Sequence, residues 1–359
     1  AQLDSASIAE SVGGVSTALA GQGQQVTGLT SAGETIADLS WTGATGGGNP
    51  AFNTAAQPAS LSAHTFDTDL NINVASDATL NAKGFSNLDA TASSTAGSAI
   101  ADAGSSSSTV TGIAAGMDIN IGGVGNLTAL AQGTADASAE SVTGLADAFS
   151  QQTAMGINQL EIKTASDDTL KSTASVVGSA TAATTGDATA DFAAAGLDFD
   201  ATGINGLAMQ SGGLGNLTAT GSVTGNADAT SVAAPADARA EIDAMGLNDA
   251  WFSSASDGNI TGMGIINSGV HATSTASTAN AEGDFDATGI NSLEAGIGGI
   301  STLKGQAQVK ADVSAESVSG NVNAYSGTDL ADATGLSGNF NMTGNGSSIT
   351  GLSGIELKG

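Results

Sequence analysis

Pairs of aspartates are the residues whose type and spacing best suit chemistry. The phrase Asp-Phe-Asp occurs at residues 198–200 and 284–286, and Asp-Thr-Asp occurs at residues 67–69. Calcium binds several hard oxygen ligands, so a chain corner that presents two carboxylates and backbone carbonyls could hold this ion. The six candidate ligands are Asp67, Asp69, Asp198, Asp200, Asp284 and Asp286. The alternative is that these aspartates only keep the corners soluble, since the nonapeptide of calcium-binding β-rolls is absent. No cofactor is required.

The inventory for catalysis is small. The chain has no cysteine, two histidines (His64 and His271), one arginine (Arg239) and one tyrosine (Tyr325). Acid–base or acyl-transfer catalysis needs a base beside a nucleophile and a third group that orients it. The two histidines occupy unlike positions of the repeat described below, so we expect no catalytic residue and no enzyme. A site made of carboxylates alone, as in polysaccharide lyases built on parallel β-helices, is the enzymatic alternative.

The protein is strongly acidic and poor in large side chains. Seven Lys and Arg stand against 35 Asp and Glu, a formal net charge of −28, so nucleic acids and anionic membranes would be repelled and cations attracted. Aromatic residues are only 3% of the chain and glycines number 51, which argues against a core of large side chains. No apolar run reaches the eighteen or so residues of a membrane helix. The start at Ala1 suits a mature chain after removal of a signal peptide, so we expect a secreted, extracellular or cell-surface protein without membrane insertion.

A short phrase of a glycine followed by an aliphatic residue returns along the chain and defines a repeat. Its glycines are Gly28, Gly112, Gly156, Gly203, Gly246, Gly289 and Gly335. The missing copy between the first two is placed at Leu70, which gives intervals of 42 to 47 residues with a mean near 44. An aliphatic residue 14 or 15 positions after the glycine is a second landmark: Leu127, Leu170, Leu217, Ile260, Leu303 and Ile349. We therefore predict about eight tandem repeats.

Small apolar residues alternate with polar ones after the second landmark. Every second residue from Leu217 to Ala229 is apolar or glycine, and the same alternation from Leu127 to Ala139 has polar residues such as Asp136 in between. A period of two is typical of a strand with one buried face. Helix is the alternative for alanine-rich segments, but glycine and threonine would each weaken a helix.

Stacked repeats of this kind predict an all-β fold: a β-solenoid or parallel β-helix-like stack with an alanine- and glycine-rich core. The landmark glycines are expected at corners, where a positive φ is needed. The small inner residues imply sheets closer than the usual 10 Å or so. Larger residues would thicken the core near the corners: Leu127, Leu160, Leu207, Leu217, Leu293 and Leu303. The spacing leaves open whether a repeat forms one large rung or two.

The phrase Gly-Asn-Leu-Thr-Ala at residues 215–219, with its alternating continuation, has counterparts over most of the chain. It resembles a broad class of secreted β-solenoid repeat proteins, the extracellular fibre subunits and adhesin passenger domains. The resemblance implies the fold and a place outside the cell. It implies no function for any single residue.

The two ends of the sequence carry complementary parts of one repeat. The phrase Ala-Glu-Ser-Val at residues 9–12 returns at 139–142 and 315–318, so the chain starts in mid-repeat. It stops 10 residues after the second landmark at Ile349. The phase of the last residue therefore falls within the phase of the first dozen residues, with an overlap of a few positions.

These ends define the expected organisation: a partial repeat at 1–27, tandem repeats at 28–334 and a partial repeat at 335–359. The partial repeats would join subunits head to tail by β-strand addition, because an open contact that does not close generates a filament. Ile8 is expected on the inner face of the added strand. The residues expected at this joint are Leu3, Ile8, Val12, Ile349, Leu352 and Ile355.

The expected function is thus a structural subunit of an extracellular filament or surface appendage, with further copies of itself and cations as partners. A cell-surface adhesin or an ice-binding solenoid is the alternative. Ice binding would need a regular threonine array, yet Thr169 and Thr302 are displaced by one position from the threonines of other repeats. Glycosylation acceptor patterns, whose use the sequence leaves open, occur at Asn126, Asn216, Asn259, Asn341 and Asn345.

Overall fold

The described chain is built from strands. A computed structural model of the protein describes residues 2–11, 15–21, 25–29, 40–42, 70–114, 117–186, 192–325, 331–343 and 346–358. The strands are β1 (Gln2–Ser11), β2 (Ser16–Ala20), β3 (Gln25–Leu29), β4 (Ser40–Thr42), β5 (Leu70–Val74), β6 (Ala78–Ser94), β7 (Ala99–Ile113), β8 (Met117–Ile121), β9 (Gly125–Ser141), β10 (Leu145–Thr164), β11 (Asp168–Thr184), β12 (Phe192–Ser211), β13 (Gly215–Ser231), β14 (Ala236–Ser254), β15 (Gly258–Ser274), β16 (Ala279–Ile297), β17 (Ser301–Ser317), β18 (Val322–Tyr325), β19 (Ala331–Thr343) and β20 (Ser347–Lys358). These residues form no helix, and hence none of the long apolar helices that cross a membrane. The predicted all-β class is confirmed.

The strands form two parallel sheets, and the chain alternates between them. Sheet A contains, in order, β1, β6, β9, β11, β13, β15, β17 and β20. Sheet B starts with β2, β3 and β5, continues with β7 and β8 and then β10, β12, β14 and β16, and ends with β18 and β19. One antiparallel pair among the described strands joins β4 to β6. Long parallel strands in stacked sheets are compatible with the predicted β-solenoid.

Each interior repeat contributes one long strand to each sheet. In sheet A, Leu127 of β9 pairs with Leu170 of β11, and Leu170 pairs with Leu217 of β13. These offsets are 43 and 47 residues, and the strands from β10 to β16 in sheet B show the same spacings. An interior repeat therefore forms one rung of two strands, and the second landmark is one column of stacked aliphatic side chains.

The register at the amino-terminal end differs from the expected one. Leu70 of β5 pairs with Met117 of β8, which pairs in turn with Leu160 of β10, so placing Leu70 at a landmark glycine was wrong. Thr27 of β3 pairs directly with Thr111 of β7, 84 residues further on. The first rung therefore uses nearly twice the usual length of chain. The extra length lies between β3 and β5, where the sequence has no landmark phrase of its own.

Two different cores fill the space between the sheets. In one half of each rung the inner columns are mainly alanine, and an example is the column Ala101, Ala148, Ala195, Ala238 and Ala281. We call this half the alanine core. In the other half, which we call the aliphatic core, leucine, isoleucine, methionine and phenylalanine side chains are buried. All six large residues expected to thicken the core lie there: Leu127, Leu160, Leu207, Leu217, Leu293 and Leu303.

The landmark glycines lie between the two cores, inside strands and without a positive φ, so their expected place at corners was wrong. A Cβ added to Gly203 would lie 2.5 Å from the backbone nitrogen of Thr220 in sheet A and 2.6 Å from the carbonyl oxygen of Gly246. Gly246 and Gly289 would meet backbone atoms of sheet A in the same way. Glycine is needed here because the two backbones approach too closely for a side chain.

A bend follows five of the landmark glycines by three residues: Gln159, Gly206, Asp249, Ser292 and Gly338 have positive φ. The alternation of buried residues changes phase next to the bend: in β10, Ala154 faces the core and so does Ile157, three residues later. The bend turns these sheet B strands from the alanine core into the aliphatic core. Three of the five bend residues are not glycines, so composition gave no signal of the bend.

Corners that lead from sheet B to sheet A alternate in composition. The carboxylate of Asp167 accepts a hydrogen bond of 2.8 Å from the N–H of Leu214 one rung further on, and Asp77 and Asp257 do the same for Val124 and Ile300. The intervening corners carry Gly-Gly pairs at 122–123, 212–213 and 298–299. A Cβ on the second glycine of each pair would collide with the aspartate. Acidic and glycine corners are therefore complementary, and the structural unit is two rungs, a period that the single-rung alignment missed.

Candidate functional site

Four of the six aspartates expected at corners lie instead in mid-strand, on the outer face of sheet B. They belong to two neighbouring columns, which we call the acidic columns: Asp198, Glu241 and Asp284 in the first, and Asp200, Asp243, Asp286 and Asp332 in the second. Sequence analysis missed Glu241, Asp243 and Asp332. The constant spacing of 43 residues from 198 to 241 and from 241 to 284 would have found the first two.

The carboxylates of the acidic columns are stacked one rung apart, about 4.8 Å, and four of them have raised pKa values. Partial burial raises the pKa of Asp243 to about 6, and the charges of Asp200 and Asp286 on neighbouring rungs add to the rise. Burial and then nearby carboxylates also raise the pKa of Asp198 and Asp286. Burial is also the largest cause of the raised pKa of Asp200, and a hydrogen bond from Thr153 opposes the rise. The acidic columns are thus a strip of mutually repelling charge that favours protons or cations.

An open groove of about 500 Å³ runs beside the second acidic column. Its other wall is a column of asparagines, in which the Nδ2 of Asn248 donates to the Oδ1 of Asn205 and the Nδ2 of Asn291 donates to the Oδ1 of Asn248, each at 2.9 Å. Asn205 donates to Asn158 in the same way at 3.2 Å. Each of these asparagines comes directly before a bend residue with positive φ. The bend therefore aligns the amides, and the amide ladder holds the groove wall.

The acidic columns do not gather into a closed metal site. Among the residues that the structure describes, no group of three or more His, Cys, Asp or Glu side chains could hold a metal ion. Asp67 and Asp69 lie outside the described residues. Carboxylates spread along a column suit exchangeable cations, whereas a tightly held calcium needs six to eight oxygens converging on one point.

His271 lies on the outer face of sheet A between Asp228 and Ser314 of the same column, an arrangement that sequence analysis missed. Its Nδ1 is 2.8 Å from the Oγ of Ser314. The residue types match a hydrolase triad, but acyl transfer also needs free N–H donors for the oxyanion. The backbone around His271 is engaged in the parallel ladders on both sides. A hydrogen bond on the sheet surface accounts for the contact. His64 lies outside the described residues.

Strand β1 is one edge of sheet A. Ala9 pairs with Ala92, and Ala92 pairs with Ala139. The alignment of residues 9–11 with 139–141 is therefore confirmed by the register. Gln2, the first described residue, pairs with Phe85 in the middle of β6.

The side chains of β1 divide between the two faces of sheet A. Leu3 and Ala9 are partly buried against the alanine core. Ile8 was expected on the inner face, but it points outward and is 75% exposed. The reason is strict alternation: Ala9 faces the core, so the residue before it cannot. Val12 lies outside the described residues.

Strand β20 is the opposite edge of sheet A. Ile349 continues the column of Leu303, and Ile355 continues that of Val309. Both belong to inner columns, yet Ile349 is 57% exposed and Ile355 is exposed as well, since no described strand lies beyond them. Leu352 pairs with Gln306 and is exposed on the outer face.

No protein-family model, curated protein or solved structure matches this chain. The described site consists of the edge strands β1 and β20 of sheet A, with exposed apolar side chains, and the acidic columns on the outer face of sheet B.

Proposed function

We propose that the chain is a structural, non-enzymatic subunit of an extracellular filament or surface appendage that polymerises head to tail by β-strand addition. The observation that carries the proposal is the complementarity of the edge strands β1 and β20. The proposal includes a β-solenoid of tandem repeats of roughly 44 residues, with residues 28–334 as its tandem body and the partial repeats 1–27 and 335–359 as the joint. It also includes secretion to the cell surface or beyond.

The complementarity concerns the part of a rung that each edge strand covers. A complete strand of sheet A, such as β13, has 17 residues. By column pairing, β20 covers the first 12 of these positions and β1 covers the last 10. A β20 strand from one subunit and residues 7–11 of β1 from another would together fill all 17 positions, while residues 2–6 of β1 fall on the five positions that β20 already occupies.

Sharing a rung would also balance the two sheets. Among the described strands, sheet A has eight levels and sheet B has seven. A continuous stack must add the same number of levels to each sheet for every subunit. If β1 and a neighbour's β20 occupy one level, both sheets contribute seven.

Strand β17 offers the backbone for this addition. Strand β20 pairs with β17 from Ser301 to Asp312, and no described strand pairs with residues 313–317 on that side. Residues 7–11 of an incoming subunit have the matching phase and would set Ala9 beside Ala315. Strand addition supplies main-chain hydrogen bonds and removes an exposed edge that would otherwise aggregate.

Cations, calcium among them, are the proposed partners besides the chain itself. A net charge of −28 and the acidic columns repel neighbouring subunits until counterions screen or bridge them. Calcium would act by neutralising carboxylates along the columns, and the fold does not require it. Nucleic acid and membrane insertion have no place in the proposal.

An adhesin or ice-binding solenoid has weaker support. The outward column that begins with Thr128 passes through Lys171 and Lys304, so its threonines form no continuous array. An ordered ice-like water layer needs an unbroken, flat and regular surface. The filament proposal has a specific observation behind it and this alternative has none.

Electron microscopy of the purified protein tests the proposal. We expect filaments of uniform width, and calcium should promote their assembly or bundling. Deleting residues 1–12, or everything after Gly344, should leave a β-rich circular-dichroism spectrum and abolish filaments. If both truncated proteins form filaments of unchanged subunit spacing, the edges are not the joint. If the intact chain stays monomeric with and without calcium, the filament function is wrong.

A further inference from the structure

The strands nearest the two ends of sheet B share an irregularity. The interior strands β10, β12, β14 and β16 pair continuously with one another. In β7, however, residues 105–108 stand where β10 has Gln152 alone. The chain between the paired residues Ala20 and Gln25 is two residues longer than the corresponding part of β10, and the chain between Tyr325 and Ala331 is three residues longer than the corresponding part of β16. The β2–β3 break spans the columns of Gln151 and Gln152, and the β18–β19 break spans those of Ser150 and Gln151, so the two breaks overlap by one column.

The structure shows how neighbouring levels accommodate such additional residues. Ser108 of β7 is buried, and its Oγ donates a hydrogen bond of 2.6 Å to the carbonyl oxygen of Gly21, directly after β2. The N–H of Gly21 in turn donates to the Oγ of Ser5 at 3.0 Å. Two interrupted levels in register can thus lie on each other with their polar groups satisfied.

Overlapping interruptions allow both segments of one edge to pair with both segments of the other. If β18 pairs with β2 in the register of the interior rungs, β19 and β3 are in register as well, because all four strands keep the columns of the interior strands. The two ends would otherwise need independent adjustments. This match does not depend on β1 or β20.

The exposed side chains next to the break support the same pairing. Leu19 of β2 and Tyr325 of β18 belong to one outward column. They are 50% and 57% exposed, respectively. Head-to-tail stacking would place the two side chains side by side and cover apolar surface on each.

We propose that the β18–β19 edge of one subunit pairs in parallel with the β2–β3 edge of the next, in the register of the interior rungs. Val322 would pair with Ser16 of the next subunit, and Leu336 with Leu29. The inference rests on the proposed filament function and adds to it a second joint, in sheet B, with one polarity and one register. In other proteins, irregular edge strands prevent pairing with a second molecule. The experiment below distinguishes that outcome from the proposed pairing.

Introduced cysteines report the register, because the chain has none of its own. Thr17→Cys and Asn323→Cys substitute exposed, outward positions of β2 and β18. The proposed register places them about 4.8 Å apart across the joint, within the Cα separation that a disulfide bridges. The matched control combines Leu19→Cys with Asn323→Cys, which lie about 8 Å apart in that register, beyond bridging distance.

Both double variants are assembled, oxidised, imaged and run on a denaturing gel. We expect the Thr17/Asn323 protein to lose its monomer band to a ladder of covalent oligomers that reductant collapses, and the control to remain monomeric. Filaments that cross-link through Leu19 instead overturn the register, and filaments that cross-link through neither pair overturn the sheet B joint. In both cases the filament itself stands. If the unmodified chain forms no filaments, the proposed function fails instead.

Discussion

The alanine core and the aliphatic core lie between the same two sheets but are filled in different ways. In the alanine core a column such as Ala148, Ala195 and Ala238 repeats one small side chain from rung to rung. Methyl groups pack the sheets along such columns, but another column of the same core holds Phe199, Ile242 and Phe285. Most side chains of the aliphatic core are large, and they change from rung to rung. Alternation is thus enough to specify the all-alanine columns, whereas columns with large side chains also need complementary volumes.

Volume exchange is visible between two adjacent rungs of the aliphatic core. Leu293 and Ala295 in β16 pair with Ala250 and Phe252 in β14. The large residue moves by two positions, so each rung has one large and one small side chain. Opposite Phe252, a Cβ on Gly215 would lie 2.6 Å from its Cζ, so that glycine makes room for the ring. Packed interiors tolerate such swaps when the total volume is conserved.

The largest expected effect comes from removing this ring. Phe252→Ala should lower the free energy of unfolding by about 3 to 5 kcal/mol, because a fully buried ring leaves a cavity. The double variant Ala250→Leu/Phe252→Ala recreates the Leu-Ala pair of β16 and should recover most of the loss. Urea unfolding followed by circular dichroism measures both. A double variant no more stable than Phe252→Ala would contradict volume exchange.

A buried carboxyl at the edge of the aliphatic core gives the next largest effect. Asp168 begins β11 where neighbouring rungs have Gly125 and Gly215. Its oxygens make no side-chain hydrogen bond of normal geometry. Burial raises the pKa of Asp168 to about 8, and the nearby N–H of Thr169 opposes the rise only weakly. The folded protein therefore keeps this carboxyl protonated where the unfolded chain ionises it.

The raised pKa of Asp168 makes the stability of the protein depend on pH. Between about pH 4 and pH 8 folding takes up a proton at Asp168, so this residue makes the free energy of unfolding fall as the pH rises. Asp168→Gly should abolish that fall and stabilise the protein at pH 7 by about 3 kcal/mol, after allowance for the flexibility of glycine. Unfolding free energies at pH 5, 6, 7 and 8 measure it. Equal slopes in both proteins would show that Asp168 is not the cause.

The two cores should also differ in how much stability a larger or reshaped side chain costs, although the effects are smaller than those above. Ala238→Leu places a large side chain in an all-alanine column and should cost about 1 to 3 kcal/mol. Leu217→Ile, in a column that already contains Ile260, conserves volume and should cost less than about 1.5 kcal/mol. Thermal melts of the two variants give the comparison. A larger loss for Leu217→Ile would mean that the alanine core is the more adaptable of the two.

The same contrast explains what the sequence could predict. The period of two and the aliphatic landmark specified the strands and the register from β9 to β17, because each residue there acts in the same way in every rung. Features that depend on contacts between rungs gave no such signal. The close approach of backbones at Gly203 looks like a corner in sequence, and the bend at Gln159 has no glycine to mark it. The sequence revealed only part of the acidic columns: Asp198 and Asp284 share a phrase two rungs apart, but Glu241 between them does not belong to that phrase.

The smallest predicted effect tests what holds the boundary between the cores. Asn248 lies next to the bend and makes one amide hydrogen bond to each neighbouring rung, with Asn205 and with Asn291. Asn248→Ala removes both and should cost about 1 kcal/mol, because partly exposed amides exchange these bonds for water. Asn248→Asp cannot donate to Asn205 and adds a charge beside the acidic columns, so it should cost more, and the excess should shrink as the pH falls and the carboxyls are protonated. Melting temperatures at pH 4 and pH 7 distinguish the two variants. If Asn248→Ala destabilised the protein as much as Phe252→Ala, the amide ladder rather than the glycine contact between the sheets would hold the two cores apart.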